Sequence, residues 1–125
     1  MTHNELKSAC MQALEVLGYL PLNFFAGGGI NIKGKYFPRK NTKGVSDIVA
    51  CSPTGLFIAC EIKVGYDKPS EMQQNFLQNV AEKGGYAFIV YDLDEFLKYL
   101  EDIKNGYKPN NKINICKNGG KYESQ

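Results

Sequence analysis

Apolar residues recur at steps of three and four in three segments of the chain, which is the spacing of one face of an α-helix. The segments are residues 3–17, residues 70–83, and a stretch that begins at Asp92 or Asp94 and ends at Asn105. Their inward-facing residues are Leu6, Cys10, Ala13, Leu14 and Leu17, then Phe76, Leu77, Val80 and Ala81, and then Phe96, Leu97, Leu100 and Ile103. The pattern therefore predicts three amphipathic helices.

The residues at the ends of these segments support the helix boundaries. Thr2 or Asn4 is suited to cap the first helix, because a side-chain oxygen there accepts hydrogen bonds from the first free amides. Ser70 and Gln73 form the Ser-x-x-Gln pattern of a capping box at the start of the second helix. Glu5 lies in the first turn of the first helix, where a negative charge complements the helix dipole.

Shorter apolar segments between the helices predict β-strands. They are residues 19–25, 45–51, 56–64 and 86–91, and residues 30–37 alternate in part and form a further candidate. Residues 86–91 are apolar almost throughout, as in a strand that is covered on both faces. The α-β-β-β-α-β-α order predicts an α/β fold with a central mixed sheet flanked by helices.

The C-terminal end of the chain has a different composition. After Asn105 it is rich in Gly, Asn and Lys, and only Ile113 and Ile115 indicate ordered structure. We therefore expect residues 1–105 to form the domain and residues 106–125 to form a weakly structured tail or a short edge strand.

The composition is that of an ordinary globular domain. With 43% hydrophobic and 22% charged residues, the 125-residue chain can bury one core. No apolar run approaches the roughly 18 residues of a membrane span, and the polar segment Met1–Lys7 lacks the features of a secretion signal. These features predict a cytoplasmic protein without membrane association. The net charge of +2 allows nucleic-acid binding without indicating it.

The cysteines and the histidine argue against two common kinds of active site. The chain has four cysteines, none of them in a Cys-x-x-Cys pair, and one histidine, His3. Zinc sites use closer and more regular ligand spacing, so we expect reduced cysteines that serve as small buried apolar residues. One histidine also leaves little room for Ser-His or Cys-His nucleophilic catalysis.

The candidate chemistry lies in a predicted hairpin. Residues 52–55, Ser-Pro-Thr-Gly, suit a type I turn followed by a left-handed glycine, which forms a three-residue loop with a bulge. In that register Asp47 lies opposite Glu61, and Lys63 lies two residues further along the same face. A two-residue loop would place Asp47 opposite Cys60 and turn Glu61 to the other face. The opposite face carries an unbroken apolar row, Leu56, Ile58, Cys60, Ile62 and Val64.

The facing carboxylates of Asp47 and Glu61 repel each other unless a cation lies between them. A hard divalent cation such as Mg²⁺ removes this repulsion, with the two carboxylates, the backbone carbonyl of Ile62 and waters as ligands. Such a metal polarises a scissile phosphate and activates a water, while Lys63 stabilises the developing charge or orients that water. The pattern thus predicts a metal-dependent phosphodiesterase site. The competing interpretation is an ordinary exposed Glu-x-Lys pair on a strand.

A cluster of positive charges precedes the hairpin. The loop at residues 38–44 carries three of them, and the candidate strand before it carries two more. The candidate phosphate contacts are Lys33, Lys35, Arg39, Lys40 and Lys43. Contact with a nucleic-acid backbone beside the site and a simple solvated loop explain this cluster equally well.

Four motifs, taken in order, give the chain a resemblance to a known family. They are Gly-Val-Ser-Asp at 44–47, Glu-Ile-Lys at 61–63, Pro-Ser-x-x-Gln-x-x-Phe-Leu at 69–77 and Gly-Gly-Tyr-Ala-Phe-Ile-Val at 84–90. The resemblance runs from about Glu5 to Phe96, most of the chain, and the combined spacing of the motifs is more specific than any single motif. On these motifs the sequence resembles the VRR-NUC family of the PD-(D/E)XK nuclease superfamily.

The resemblance implies a restriction-endonuclease-like core and a DNA endonuclease that depends on Mg²⁺ or Mn²⁺, with Asp47, Glu61 and Lys63 as its catalytic set. It also implies roles for Gln73, the glutamine of the helix after Glu-x-Lys, and for Glu5, the acid of the first helix, which would reach the metal through water. Similarity to the stand-alone members of the family further implies a homodimer that acts on branched DNA, including Holliday junctions, in bacterial or phage-infected cells.

The chain departs from the family pattern at two places. Ser46 stands where the superfamily has proline, which changes backbone stiffness but removes no ligand. Residues 23–26, Asn-Phe-Phe-Ala, lack the arginine that the family often carries before the glycine-rich turn, and with it one expected phosphate contact. Two alternatives stay open: a non-catalytic DNA-binding module that keeps the nuclease fold, and an unrelated α/β interaction protein. In the second alternative, Asp47 and Glu61 would lie on opposite faces.

Overall fold

The computed structural model describes residues 1–22, 29–38, 45–117 and 121–124. Its helices are α1 (His3–Val16), α2 (Glu71–Glu82) and α3 (Leu93–Lys104). Its strands are β1 (Leu20–Leu22), β2 (Gly29–Ile32), β3 (Lys35–Pro38), β4 (Ile48–Cys51), β5 (Phe57–Ile62), β6 (Tyr86–Val90), β7 (Ile113–Lys117) and β8 (Lys121–Ser124). The three helices predicted from the apolar spacing are confirmed to within one or two residues at each end. Among the described helices, none has the length and apolar character needed to cross a membrane.

Each helix begins at a side chain that caps it. Thr2 and Glu5 form a reciprocal capping box at α1, with both hydrogen bonds at 3.1 Å. Ser70 and Gln73 form the predicted capping box at α2, with hydrogen bonds of 3.2 and 2.8 Å. Asp92 caps α3. These contacts satisfy amides that have no partner within the helix.

The main sheet has six strands in the order β1-β4-β5-β6-β7-β8. Strands β1, β4 and β5 pair antiparallel, whereas β5, β6 and β7 are parallel neighbours. Parallel neighbours need crossover connections, which α2 and α3 provide. The predicted mixed sheet flanked by helices is therefore confirmed, and three of its strands precede α2, as the predicted order requires.

Helices cover both faces of this sheet. On one face, α1 and α3 pack against the sheet in the larger of two apolar cores. On the other face, α2 packs through Leu77 and Val80 against sheet residues that include Ala59 and Ile89. Because the central strands are covered on both sides, alternate side chains of one strand enter two different buried environments.

Residues 30–37 form parts of two strands rather than the single strand that their partial alternation indicates. Strands β2 and β3 pair antiparallel around Lys33 and Gly34, whose φ angles are 52° and 79°. Two successive positive φ angles are typical of a tight type I′ hairpin turn. Lysine is uncommon in this conformation, so the turn is difficult to predict from the residue types. Of the strand predicted at residues 19–25, β1 accounts for three residues, and residues 23–25 lie outside the described part.

The C-terminal segment contributes two strands to the main sheet. Strand β7 lies between β6 and β8, and β8 is the edge strand. Ile113 and Cys116 of β7 are buried in the two cores. Asn114 between them is also buried, and its Oδ1 accepts hydrogen bonds from Tyr99 at 2.8 Å and Tyr107 at 3.0 Å. This asparagine interrupts the apolar pattern, which is why the sequence predicts only a tail or an edge strand where β7 is an interior strand.

Candidate functional site

The turn between β4 and β5 has the geometry that its residues predict. Gly55 has a φ angle of 87°, and its N–H donates to the Ser52 carbonyl at 2.9 Å. The Ser52 N–H donates to the Leu56 carbonyl at 2.8 Å, which closes the loop. Val49 consequently pairs with Ala59. The predicted three-residue loop and its register are therefore confirmed.

This register divides the side chains of β5 between the two faces of the sheet. Ile58 and Ile62 belong to the larger core, under α1 and α3. Ala59 belongs to the core under α2, and Glu61, two residues on, lies on the same side. Continued one residue beyond the paired positions, the register brings Asp47 opposite Glu61. The predicted apolar face is confirmed. On the opposite face, the carboxylates of Asp47 and Glu61 are neighbours.

Asp47 lies in a bend immediately before β4, and two nitrogen atoms lie within hydrogen-bond distance of one carboxylate oxygen. Its Oδ2 accepts the Ile62 N–H at 2.9 Å and lies 3.2 Å from Nε2 of His3. Ser46, at the position of the superfamily's proline, is buried, and its hydroxyl donates to the Ile48 carbonyl at 2.9 Å. This hydrogen bond stabilises the bend without the rigid ring of a proline.

Glu61 carries a carboxylate that is almost completely removed from solvent. The residue is 1% exposed, and its Oε2 has no hydrogen-bond partner among the described residues. Its Oε1 lies 3.8 Å from Nζ of Lys63. A buried carboxylate oxygen without a hydrogen bond costs free energy, so Oε2 is the least satisfied atom of the site.

The pKa values of the two carboxylates are displaced in opposite directions. Burial, followed by the hydrogen bond and charge of Asp47, raises the pKa of Glu61 far above that of a free glutamate. Burial also acts to raise the pKa of Asp47, but its hydrogen bonds with Glu61, the Ile62 N–H and His3 outweigh burial and lower that pKa. In the metal-free protein the two carboxylates therefore titrate as a pair, in which the surroundings of Glu61 favour its neutral form and those of Asp47 its ionised form.

Lys63 is oriented by a capping residue of the next helix. Its Nζ donates to Oε1 of Gln73 at 3.0 Å, and the same oxygen accepts the N–H of Ser70 at 2.8 Å. The capping box of α2 thus also holds the lysine in place. Gln74, the neighbour of Gln73, turns away and donates to the Pro69 carbonyl at 3.2 Å.

The oxygen atoms of the site fit a hard divalent cation. The predicted donors are the carboxylates of Asp47 and Glu61 with the carbonyl of Ile62, and a cation would satisfy the unpartnered Oε2 of Glu61. Within the described ranges, no group of three or more His, Cys, Asp and Glu side chains is arranged to hold a metal. Mg²⁺ commonly binds through one or two carboxylates and keeps several waters. The small donor set therefore suits Mg²⁺ better than zinc, which prefers three or four protein ligands.

Among the described residues of α1, His3 is the one whose side chain contacts Asp47. The described hydrogen bonds of Glu5 join it to Thr2 at the exposed start of the helix. Successive helix residues are about 100° apart, so residues 3 and 5 point about 200° apart and cannot both face Asp47. A water-mediated role for Glu5 stays a prediction. The sequence carries no signal for His3, because a single histidine outside any motif does not indicate a site.

The predicted phosphate contacts lie in and after the β2–β3 hairpin. Lys33 and Lys35 belong to this hairpin, and both are exposed. Arg39, Lys40 and Lys43 lie outside the described residues. Contact between these side chains and a nucleic acid therefore stays a prediction.

The fold and the site together define an α/β/α domain with paired carboxylates and a lysine at the end of a β-hairpin. A solved structure described as a VRR_NUC domain is similar to this chain, with a TM-score of 0.54 and 19% sequence identity. The similarity covers 84% of this chain and 97% of that one. No protein-family profile and no curated protein matches the sequence. The chain has the fold of a VRR_NUC domain, which confirms the restriction-endonuclease-like fold that the resemblance implied.

Proposed function

We propose that the protein is a member of the VRR-NUC family and a divalent-metal-dependent DNA endonuclease. The observation that carries the proposal is the buried carboxylate of Glu61, which has an unpartnered oxygen and lies beside the half-buried Asp47 and Lys63. An ordinary exposed Glu-x-Lys pair would not bury a carboxylate in this way, because such burial costs free energy. The similarity of the fold to a VRR_NUC domain supports the same assignment.

The proposed site divides the reaction among its residues. Asp47, Glu61 and the carbonyl of Ile62 would hold Mg²⁺ or Mn²⁺, an ion that supplies Lewis acidity and lowers the pKa of a bound water. Lys63 places a positive charge where the phosphodiester becomes more negative in the transition state. Because Gln73 holds the lysine at 3.0 Å, this charge is oriented before the substrate binds.

The proposed substrate is branched DNA such as a Holliday junction, cleaved in the cytoplasm by a homodimer. A four-way junction presents two symmetry-related scissile positions, which a dimer with twofold symmetry matches. The support for this finer proposal is the resemblance to stand-alone VRR-NUC proteins. The basic residues proposed to contact the phosphates are Lys33, Lys35, Arg39, Lys40 and Lys43.

A cleavage assay on four DNA substrates tests the proposal. The protein is incubated with Mg²⁺ and with linear duplex, single-stranded, flap or four-way-junction DNA, and the products are resolved on denaturing gels. We expect the wild-type protein to cleave, with preference for a branched substrate, and Glu61→Gln not to cleave. Glu101→Gln changes an exposed glutamate of α3 and is the matched control, which should retain full activity.

The alternative outcomes of this assay are distinct. DNA binding without cleavage in Mg²⁺ or Mn²⁺, measured by fluorescence anisotropy on the same four substrates, would indicate a non-catalytic DNA-binding module that keeps the nuclease fold. Equal cleavage of all four substrates would contradict selectivity for branched DNA. A monomer in light scattering, both free and with a four-way junction, would contradict the homodimer.

A further inference from the structure

We propose that His3 is a positioning residue of the site, which holds the Asp47 carboxylate so that Oδ1 is presented to the divalent cation. Nε2 of His3 lies 3.2 Å from Oδ2 of Asp47, a contact between residues 44 positions apart in the chain. The nuclease motifs assign no role to this histidine. The inference rests on the proposed function, because it concerns how the same site binds its metal.

The chemistry of the contact sets the direction of the hydrogen bond. An ionised carboxylate only accepts, so the imidazole donates through an Nε2–H group. The same oxygen of Asp47 also accepts the Ile62 N–H at 2.9 Å. Both nitrogen contacts of this carboxylate therefore end on Oδ2. A cation would replace the hydrogen bond between Asp47 and Glu61, and Oδ1 is the Asp47 oxygen that neither nitrogen occupies.

The packing of α1 directs His3 towards the sheet. His3 precedes Leu6, Cys10 and Leu14 by three, seven and eleven positions, which places it on their stripe of the helix. These three residues are buried in the larger core. Thr2, directly before His3, caps the helix and so fixes its first turn. The imidazole, whose side chain is 39% exposed, is thus carried on an anchored helix next to Asp47.

Removal of the imidazole should weaken metal binding. Oδ2 would then keep only the Ile62 N–H, and the carboxylate of Asp47 would turn more freely, because this terminal torsion has broad energy wells. Loss of a hydrogen bond behind a metal ligand typically reduces metal affinity by about 10- to 100-fold. We therefore expect His3→Ala to bind Mn²⁺ at least about tenfold more weakly than the wild type.

Substitutions by the two side-chain amides separate hydrogen bonding from packing. Glutamine can place an N–H group near the position of Nε2, whereas the shorter asparagine places it near Nδ1. His3→Gln should therefore restore Mn²⁺ affinity, and His3→Asn should behave like His3→Ala. Calorimetric titration of the DNA-free protein with Mn²⁺ measures the affinity. The Mg²⁺ concentration for half-maximal cleavage gives the same ranking in the enzyme, and thermal unfolding reports any change in stability.

The outcomes distinguish failure of this inference from failure of the proposed function. Equal Mn²⁺ affinity of the wild type and His3→Ala would overturn the role of His3. The same holds if His3→Gln and His3→Asn bind Mn²⁺ equally weakly, since the effect would then be one of packing. A wild-type protein that does not bind Mn²⁺, or a Glu61→Gln variant that binds it unchanged, would overturn the proposed metal site and this inference with it.

Discussion

Glu61 combines two features that both oppose its ionisation. Its carboxylate is 1% exposed, and it lies beside a second carboxylate, that of Asp47, whose hydrogen bond and charge further raise the pKa of Glu61. Burial and like charge each favour the neutral form, and a bound cation relieves both. The residue therefore costs stability in the metal-free fold.

The stability of the metal-free protein should reveal this cost. Burial and Asp47 raise the pKa of Glu61, so the native state keeps a proton that the unfolded state loses above the ordinary pKa of 4.5. Stability from this group is therefore lost as the pH rises, by up to about 1 kcal/mol per pH unit between about pH 5 and pH 8. Asp47 does not change the free energy of unfolding over this pH range, because its lowered pKa keeps it ionised in the native state as in the unfolded state.

Glu61→Gln removes this pH dependence, since the amide stays neutral. Urea denaturation at several pH values, with a chelator present, measures the free energy of unfolding of both proteins. We expect the variant to gain stability relative to the wild type as the pH rises. A difference between the two proteins that is independent of pH would show that Glu61 ionises normally in the native state.

Asp47→Ala and Lys63→Ala should abolish cleavage and leave the fold intact. Asp47 is a proposed metal ligand, and Lys63 is the cation proposed to stabilise the transition state, where loss of one such group costs about 100-fold or more in rate. Single-turnover cleavage rates test the expectation, and circular dichroism tests the fold. Lys104→Ala changes an exposed lysine of α3 and serves as control. Cleavage at the wild-type rate by either site variant would contradict the proposed roles.

At the scale of elements, the turn of the β4–β5 hairpin determines which side chains lie together in the candidate site. A three-residue loop places Asp47 and Glu61 on one face, and a loop one residue shorter would separate them. A second local arrangement lies at the start of α2, where Gln73 both caps the helix and accepts a hydrogen bond from Lys63. Both arrangements depend on residues close together in the chain, and both were therefore within reach of the sequence pattern.

Gly55→Ala should weaken the hairpin without changing its register. A Cβ at this residue meets nothing within 4 Å, so the cost arises from the φ angle of 87° and is about 1 kcal/mol. Gly85→Ala is the steric counterpart, because its Cβ would lie 2.8 Å from Val80 Cγ1 and 3.0 Å from the Phe57 carbonyl. Overpacking of this kind costs about 1–3 kcal/mol.

Urea denaturation of both glycine variants measures these losses, and a cleavage assay tests the register. We expect Gly55→Ala to retain cleavage under conditions in which it is folded. A folded Gly55→Ala protein without activity would show that the turn tolerates alanine only by shifting the strands.

At the scale of the whole molecule, the sheet depends on its C-terminal strands. Strand β7 is the parallel neighbour of β6 and places Ile113 in one core and Cys116 in the other. We therefore expect a protein that ends at Asn105 to lose cooperative folding, because it would expose the apolar faces and the open edge of β6. This expectation differs from the sequence-based boundary at residue 105.

Two truncations test the expectation. A protein that ends at Lys117 keeps β7 and removes β8, so it should remain folded with reduced stability. Thermal unfolding followed by circular dichroism compares both truncated proteins with the full chain. Cooperative unfolding of the protein that ends at Asn105 would support residues 1–105 as the domain.

The sequence by itself determined the three helices, the mixed α/β architecture and the register of the β4–β5 hairpin. Each of these follows from interactions within a few residues: apolar spacing, capping pairs, and the left-handed conformation of Gly55. The site residues Asp47, Glu61 and Lys63 could be placed on one face for the same reason. The burial of Glu61 could not be predicted from the pattern, because it depends on how α2 covers the sheet.

Only the tertiary structure decided which helix residue meets Asp47 and where the C-terminal strands lie. The contact of His3 with Asp47 depends on the rotation of α1 about its axis, which its packing in the core sets. The place of β7 depends on Tyr99 and Tyr107, whose hydroxyls allow Asn114 to be buried. Such contacts join residues that are distant in the chain, so no short pattern encodes them, and they form only when the packed elements bring the partners together.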